Sequence, residues 1–237
     1  MDRAVTGRRE ELAANLAEVE ERIANACKAA GRDRSEVMLL AVTKTWPASD
    51  VELLYELGLR NFAENRDQEA SEKVGQLRHL DGARWHMVGR LQRNKAKSVV
   101  EWADQVDSVD SVRLAEALAR AAHAKGVKLD VLLQVSIDGD TSRGGCAVPD
   151  VAELAGVITR SGDLILRGAM TVAPRTMKPS QAFEALASVV SGLRDDHPTA
   201  TRVSAGMSGD LEDAISHGST CVRVGTALLG SRRLTLP

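Results

Sequence analysis

Cysteine is rare here: Cys27, Cys146 and Cys221 are the only three, far apart and odd in number. No CxxC pair occurs, so neither a zinc ribbon nor a disulfide framework is supported. That usage fits a reducing cytoplasm. No run of 18 apolar residues is present, which removes the usual pattern of a membrane-spanning helix. The start, MDRAVTGRREELAAN, is charged and lacks the apolar core of an export signal. Charge of one sign is not in excess: 31 Lys and Arg face 33 Asp and Glu, for a net of −2. That balance gives no reason to expect nucleic acid or a membrane surface as partner. GxGxxG and the P-loop pattern GxxxxGKS/T are both missing, so dinucleotide and P-loop nucleotide sites are unsupported.

What is present is a regular alternation. The apolar fraction of 43% in 237 residues allows a full core. Leu12, Leu16, Val19, Ile23 and Cys27 recur at three- and four-residue steps and predict a helix with one apolar stripe, ended by Gly31. After it, β-like runs are expected at Val37–Thr43, Asn61–Ala63, Arg84–Val88, Gln105–Val109, Asp130–Ser136, Leu164–Met170, Arg202–Ser204 and Cys221–Val224. A helical pattern follows each. Ser49-Asp50-Val51-Glu52 has capping-box spacing for the first of these helices. Pro149 and Pro179 fall where first-turn prolines are welcome, and the last helix, from Thr226, is short. Eight strand–helix units imply parallel strands with crossover helices. The expected fold is α/β, a (β/α)8 TIM barrel with an extra N-terminal helix, its length near the usual size for that fold. An open doubly wound sheet is the alternative. No linker, repeat or low-complexity tract interrupts residues 1–237, which read as one domain.

In such a barrel, function gathers where strands end. Lys44 lies there on the first strand. Strand parity sets Leu40, Val42 and Lys44 on one face and Leu39, Ala41 and Thr43 on the other. With the even face inward, the amine is partly desolvated, which disfavours its charged form and suits attack on a carbonyl. The competing reading is a salt-bridged lysine at the rim. After the seventh strand comes SAGMSGDLEDAI, in which Ser208 can cap a helix behind Gly206 and Gly209. After the eighth comes VRVGTALLG, where Gly225 and Thr226 open the short helix. Those two loops are the usual phosphate site of such barrels; two ordinary turns are the plainer reading. An imine-forming lysine facing a phosphate cup points to a phosphorylated aldehyde or ketone. Pyridoxal phosphate and the sugar phosphate of a Schiff-base aldolase both qualify. Arg223 alternates with Val222 and Val224 on the last strand. A guanidinium can only donate; beneath a pyridine ring it would keep the nitrogen unprotonated and the ring a poor electron sink. A structural Arg paired with Asp or Glu is the alternative.

AVTKTWP, FAENRDQEA, WHMVGRLQRNK, SIDGDTSRGG, LRGAMTVAP, SAGMSGDLEDAI and VRVGTALLG, from about Leu39 to Gly230, together resemble the pyridoxal phosphate homeostasis protein family. That family shares the barrel of the alanine racemase N-terminal domain. The resemblance implies pyridoxal 5′-phosphate as cofactor, carried on Lys44 as a Schiff base. It implies Ser208, Gly225 and Thr226 on the phosphate and Arg223 on the ring nitrogen. Asn65 and His86 would line the pocket, with Met170 and Met207 near the ring. The family's usual GEN reads Ala63-Glu64-Asn65 here.

Other residues have plain readings. His86 is equally a buried strand histidine, and His79, His123, His197 and His217 lack metal-ligand spacing and read as surface residues. Arg93, Lys95 and Lys97 in LQRNKAKS read as a solvated helix start, or else a docking patch. The polar loop 136–146 gives no readable chemistry. Tyr55, the single tyrosine, falls on a helix stripe with Val51 and Leu54, where it packs rather than acting as an acid. The resembling racemases use a tyrosine opposite the lysine and a second domain. The expectation is therefore a monomeric cytoplasmic carrier that holds pyridoxal phosphate and passes it to apo-enzymes. A pyridoxal-phosphate racemase is the runner-up and a Schiff-base aldolase the third reading.

Overall fold

The computed structural model describes residues 3–230. A 27-residue helix, α1 (Arg3–Ala29), precedes eight strand–helix units. The strands are β1 (Met38–Val42), β2 (Asn61–Glu64), β3 (Arg84–Met87), β4 (Gln105–Val109), β5 (Leu129–Ser136), β7 (Leu164–Met170), β8 (Arg202–Ser204) and β9 (Cys221–Val224). A two-residue strand, β6 (Cys146–Ala147), lies along the end of β5 and was not legible in the sequence. Every pairing is parallel, and β1 bonds to both β2 and β9. The order runs β1-β2-β3-β4-β5-β7-β8-β9 and returns to β1, so the sheet has no free edge: the chain is a TIM barrel. The helices between strands are α2 (Ala48–Glu56), α3 (Asp67–Gln76), α4 (Ala96–Trp102), α5 (Val112–Lys125), α6 (Val151–Arg160), α7 (Pro179–Asp196) and α8 (Leu211–Ser216), with α9 (Thr226–Leu229) after β9.

The parity expected of β1 holds. Leu39 and Ala41 join the large outer core between barrel and helices, along with Phe62, Trp85, Val106, Val131, Leu133 and Val222. Leu40 belongs to a separate small cluster inside the barrel, with Ala63 and Cys221 and with Met38, Val42 and Val88 against it. Much of the rest of the lumen is polar, with Leu132 and Met170 as further apolar members. Near the strand starts, Asp130 takes Arg167 at 2.8 Å and Arg84 at 3.4 Å, while Arg202 reaches Gln105. Gln105 passes the chain upward, donating to Asp107 at 2.7 Å.

β2, β3 and β5 each differ from their expected bounds by one residue at one end, and two expectations fail around β1 and α2. The first predicted strand is one residue shorter at each end: Val37 closes a short 3-10 turn, and Thr43 already belongs to the turn beyond. The capping box at Ser49 does not form. Pro47, extended at φ −69° and ψ 160°, occupies the cap position of α2 and no side chain caps it. Asp50 instead meets Arg8 of α1 at 2.7 Å.

Candidate functional site

Beyond β1 the chain turns sharply. Trp46 N–H donates to the Thr43 carbonyl at 3.1 Å, closing a turn with Lys44 and Thr45 at its centre. Thr45 has φ +65°. A β-branched residue there is strained, at a cost of order 1–3 kcal/mol. The turn lifts Lys44, half-buried, to the barrel mouth. Its Nζ has no hydrogen-bond or ion-pair partner among the described residues, so the rim salt bridge does not form. Lys44 instead lines a cavity of about 80 Å³ with Val42, Trp46, Gly225, Thr226 and Gly230. The amine and the Gly225–Thr226 turn, which begins 181 residues later in sequence, therefore share one space.

Ser208 joins them, but not as a cap. The helix starts three residues later, with Asp210 at its cap position, and Asp210 accepts the Met207 N–H at 2.6 Å. Ser208 Oγ reaches across to accept the Ala227 N–H of α9 at 3.3 Å. Used as an acceptor there, the hydroxyl keeps its own proton to donate. Gly206 makes this possible: at φ +92°, a Cβ would lie 2.6 Å from the Ala214 Cβ.

Arg223 faces the lumen opposite Leu40 and is buried. Among the described residues it has no carboxylate partner; Nη1 donates to Ser204 Oγ at 2.8 Å and Nη2 to the Thr171 carbonyl at 2.7 Å. Desolvation holds its pKa below the usual guanidinium value. Met170, buried, pairs with Ser204 on the neighbouring strand, and Met207 is exposed at the rim. His86 is buried, its Nδ1 3.3 Å from Asp107 Oδ1, while its Nε2 and Asp107 Oδ2 have no partner among the described residues. Asn65 is half-buried after β2, and Gly89 packs on it so closely that a Cβ would lie 2.1 Å from the Asn65 carbonyl oxygen. No hydrogen bond among the described residues links Asn65, His86 or Met207 to Lys44, and none of the three lines its cavity.

Sequence reading missed the brace behind the cup. Arg8, Asn15 and Arg22 sit at seven-residue steps on α1, hence on one face. They donate to the carbonyls of Leu229 at 3.0 Å, Leu228 at 3.0 Å and Ser208 at 2.9 Å. Arg22 also pairs with Glu212 at 2.8 Å, and Arg8 stacks over Trp46 at 4.8 Å. The signal was that polar seven-residue spacing beside the Leu12–Cys27 stripe.

Tyr55 packs on the outer wall, its hydroxyl donating to the Asp81 carbonyl at 2.7 Å and Arg60 lying over its ring. His79 and His123 are exposed; His197 and His217 are half-buried. Arg93, Lys95 and Lys97 are exposed. The loop 136–146 is ordered by Asp138 and Asp140 gripping Arg143, and Arg90 donates to its Ser142 carbonyl at 2.9 Å. An open groove of about 640 Å³ runs between α5 and α6 on the outer surface; of these residues it takes only His123, and it is separate from the Lys44 cavity.

Residues 14–233 match the family model of the alanine racemase N-terminal domain. The pyridoxal phosphate homeostasis protein of Mycobacterium tuberculosis is 46% identical, over 99% of this chain and 98% of that protein. A solved protein from Bifidobacterium adolescentis, described as unknown, superposes with TM-score 0.89 at 32% identity, over 96% of this chain and 97% of that one. PipY of Synechococcus elongatus, solved with PLP bound, superposes with TM-score 0.82 at 33% identity, over 92% of this chain and all of that one. On this agreement the chain belongs to the alanine racemase N-terminal domain family and, within it, to the pyridoxal phosphate homeostasis proteins.

Proposed function

We propose that this chain is one pyridoxal 5′-phosphate-binding barrel domain that holds the cofactor at its mouth and takes part in the intracellular balance and delivery of that cofactor. One observation carries the reading: an amine without a partner, Lys44, lines the same cavity as the Gly225–Thr226 turn. The surrounding groups fit a phosphorylated pyridine aldehyde. Ser208 has a free hydroxyl proton beside the start of α9, where the Thr226 N–H has no intrahelical partner. His86 Nε2 is a buried ring nitrogen without a partner.

When bound, pyridoxal 5′-phosphate supplies an aldehyde open to amines and a ring able to accept electron density. Lys44 would hold it covalently, as a Schiff base. Ser208, Gly225 and Thr226 would donate to the phosphate. Arg223 would donate an N–H to the ring nitrogen; its guanidinium retains its proton, so the nitrogen would gain none. Asn65, His86 and Met170 would line the pocket, with Met207 at its rim. The chain has no tyrosine at the mouth to serve as a second acid, since Tyr55 is on the outer wall. Racemisation needs proton transfer on both faces, so carriage is favoured over turnover. Apo-enzymes are the recipients in this reading, and the carrier acts as a cytoplasmic monomer. No helix among the described residues is long and apolar enough to cross a membrane.

An absorbance spectrum with and without borohydride tests this. A visible band lost on reduction, with the cofactor then fixed on Lys44, is expected. Capture on another lysine, or nowhere, overturns it. Added L- or D-alanine should racemise no faster than with free cofactor.

A further inference from the structure

The turn that carries Lys44 is gripped from outside the barrel. Lys73 of α3 is buried and donates from Nζ to the Thr43 carbonyl at 2.8 Å. The same ammonium meets Glu64 at 2.6 Å and Glu69 at 3.3 Å. Glu69, one helical turn before it, accepts the Thr45 backbone N–H. Glu64 also accepts the Thr43 hydroxyl at 2.7 Å. Both backbone neighbours of Lys44 are thus fixed by α3: the carbonyl before it by Lys73, the N–H after it by Glu69. Thr45 is held at φ +65°, which threonine does not adopt unaided.

We infer that Lys73 and Glu69 are positioning residues for the Lys44 amine, a conclusion that rests on Lys44 being the group that takes the cofactor. Neither side chain lines the Lys44 cavity; both act on it through the turn. What they supply is orientation. A strained turn relaxes once an anchor is lost, and the side chain it presents then samples directions away from the cup. Small displacements of a reacting group are costly in rate. The buried Glu64 Oε2 without a partner marks the same network as one built for geometry rather than for saturation of its hydrogen bonds.

Lys73 variants risk misfolding, because they would leave Glu64 unpaired in the interior. Glu69 is partly exposed and gives the cleaner test. Glu69→Ala removes the acceptor for Thr45 N–H; Glu69→Gln keeps a carbonyl oxygen there. Three measurements are made on each full-length protein. Hydrogen exchange at the Thr45 and Trp46 amides, without cofactor, reads the grip itself. The rate of borohydride-trapped capture of pyridoxal 5′-phosphate on Lys44 reads orientation. Affinity for pyridoxine 5′-phosphate, which has an alcohol in place of the aldehyde, reads the cup alone.

Glu69→Ala should speed exchange at Thr45, slow capture about tenfold and leave pyridoxine 5′-phosphate affinity unchanged. Glu69→Gln should restore capture to near wild type. Unchanged exchange, or faster exchange with capture at the wild-type rate, overturns the inference. So does failure of Glu69→Gln to rescue. A wild-type protein that captures nothing on Lys44 overturns the reading of the site itself, a result distinct from any of these.

Discussion

The two faces of the barrel wall are built from opposite chemistry. Outward residues, such as Leu39, Phe62, Trp85, Val131 and Val222, are apolar and merge into one core with the helices. Inward residues include many polar ones, His86, Gln105, Asp107, Asp130, Ser204 and Arg223, beside a small apolar cluster of Leu40, Ala63 and Cys221 with Met38, Val42 and Val88 against it. Barrels of this type commonly fill their interior with layers of branched apolar side chains. Here the outer face carries the burial that holds the fold together, which leaves the inner face free to be spent on a site.

The largest effect should fall on the outer face. Phe62 is fully buried and its ring lies 5.4 Å from that of Trp85. Phe62→Ala should cost about 3–5 kcal/mol of stability, read from denaturant midpoints. Arg223→Met on the inner face should cost less, below about 2 kcal/mol. It orphans Ser204 Oγ and the Thr171 carbonyl, yet it also removes a desolvated charge, and such replacements are often close to neutral. Equal losses for the two would erase the distinction between the faces.

A smaller effect tests the mouth directly. Ser208→Ala should weaken cofactor retention by about 1.5–3 kcal/mol, the worth of one hydrogen bond to a charged group, with little change in the unfolding midpoint. Unchanged affinity for pyridoxal 5′-phosphate in equilibrium dialysis would move the anion site elsewhere.

How much of this was legible beforehand depended on the range of the interaction. Strand parity at Leu39–Lys44 was local and came out right, as did four strand boundaries to the residue, including Gln105–Val109 and Cys221–Val224. The role of Ser208 was not local. Its spacing said helix cap, but the hydroxyl was claimed by Ala227, brought near only by closure of the barrel. Lys73 and Glu69 were invisible for the same reason. Their partners are the backbone of Thr43 and Thr45, and backbone groups leave no mark in a residue pattern. The Arg8–Asn15–Arg22 face was visible as a spacing, but its targets were carbonyls some 200 residues away.

Glu64 refines the comparison, because it is a buried carboxylate on the outer side of the wall. Desolvation raises its pKa, and Lys73 and Thr43 only partly offset that. The folded protein therefore holds this proton to higher pH than the unfolded chain does. Its contribution is full below the ordinary carboxylate range and is lost as pH rises through the raised value. Urea midpoints taken from pH 4 upward should show wild type losing ground to Glu64→Gln. A wild type that gains instead would mean that pairing with Lys73 outweighs burial.

The smallest expected effect concerns two thiols, one on the inner floor and one at the rim. Burial pushes Cys221 up to about 12 and Cys146 up to about 11. At neutral pH each is then thiolate in fewer than about one molecule in a thousand, and the thiolate is the reactive form. Native protein treated briefly with iodoacetamide at pH 7 should show no labelling at either position by peptide mass spectrometry; in urea both should label. At pH 9 the order becomes informative. Cys146 lies in β6 at the end of the polar loop 136–146, paired with Val135, whereas Cys221 is packed with Leu40 and Ala63 inside the barrel. Cys146 should therefore react first. Cys221 reacting first would show that reagent enters through the mouth and reaches the floor, so that the lumen is open rather than packed, and the contrast between the two faces would then rest on access as well as on polarity.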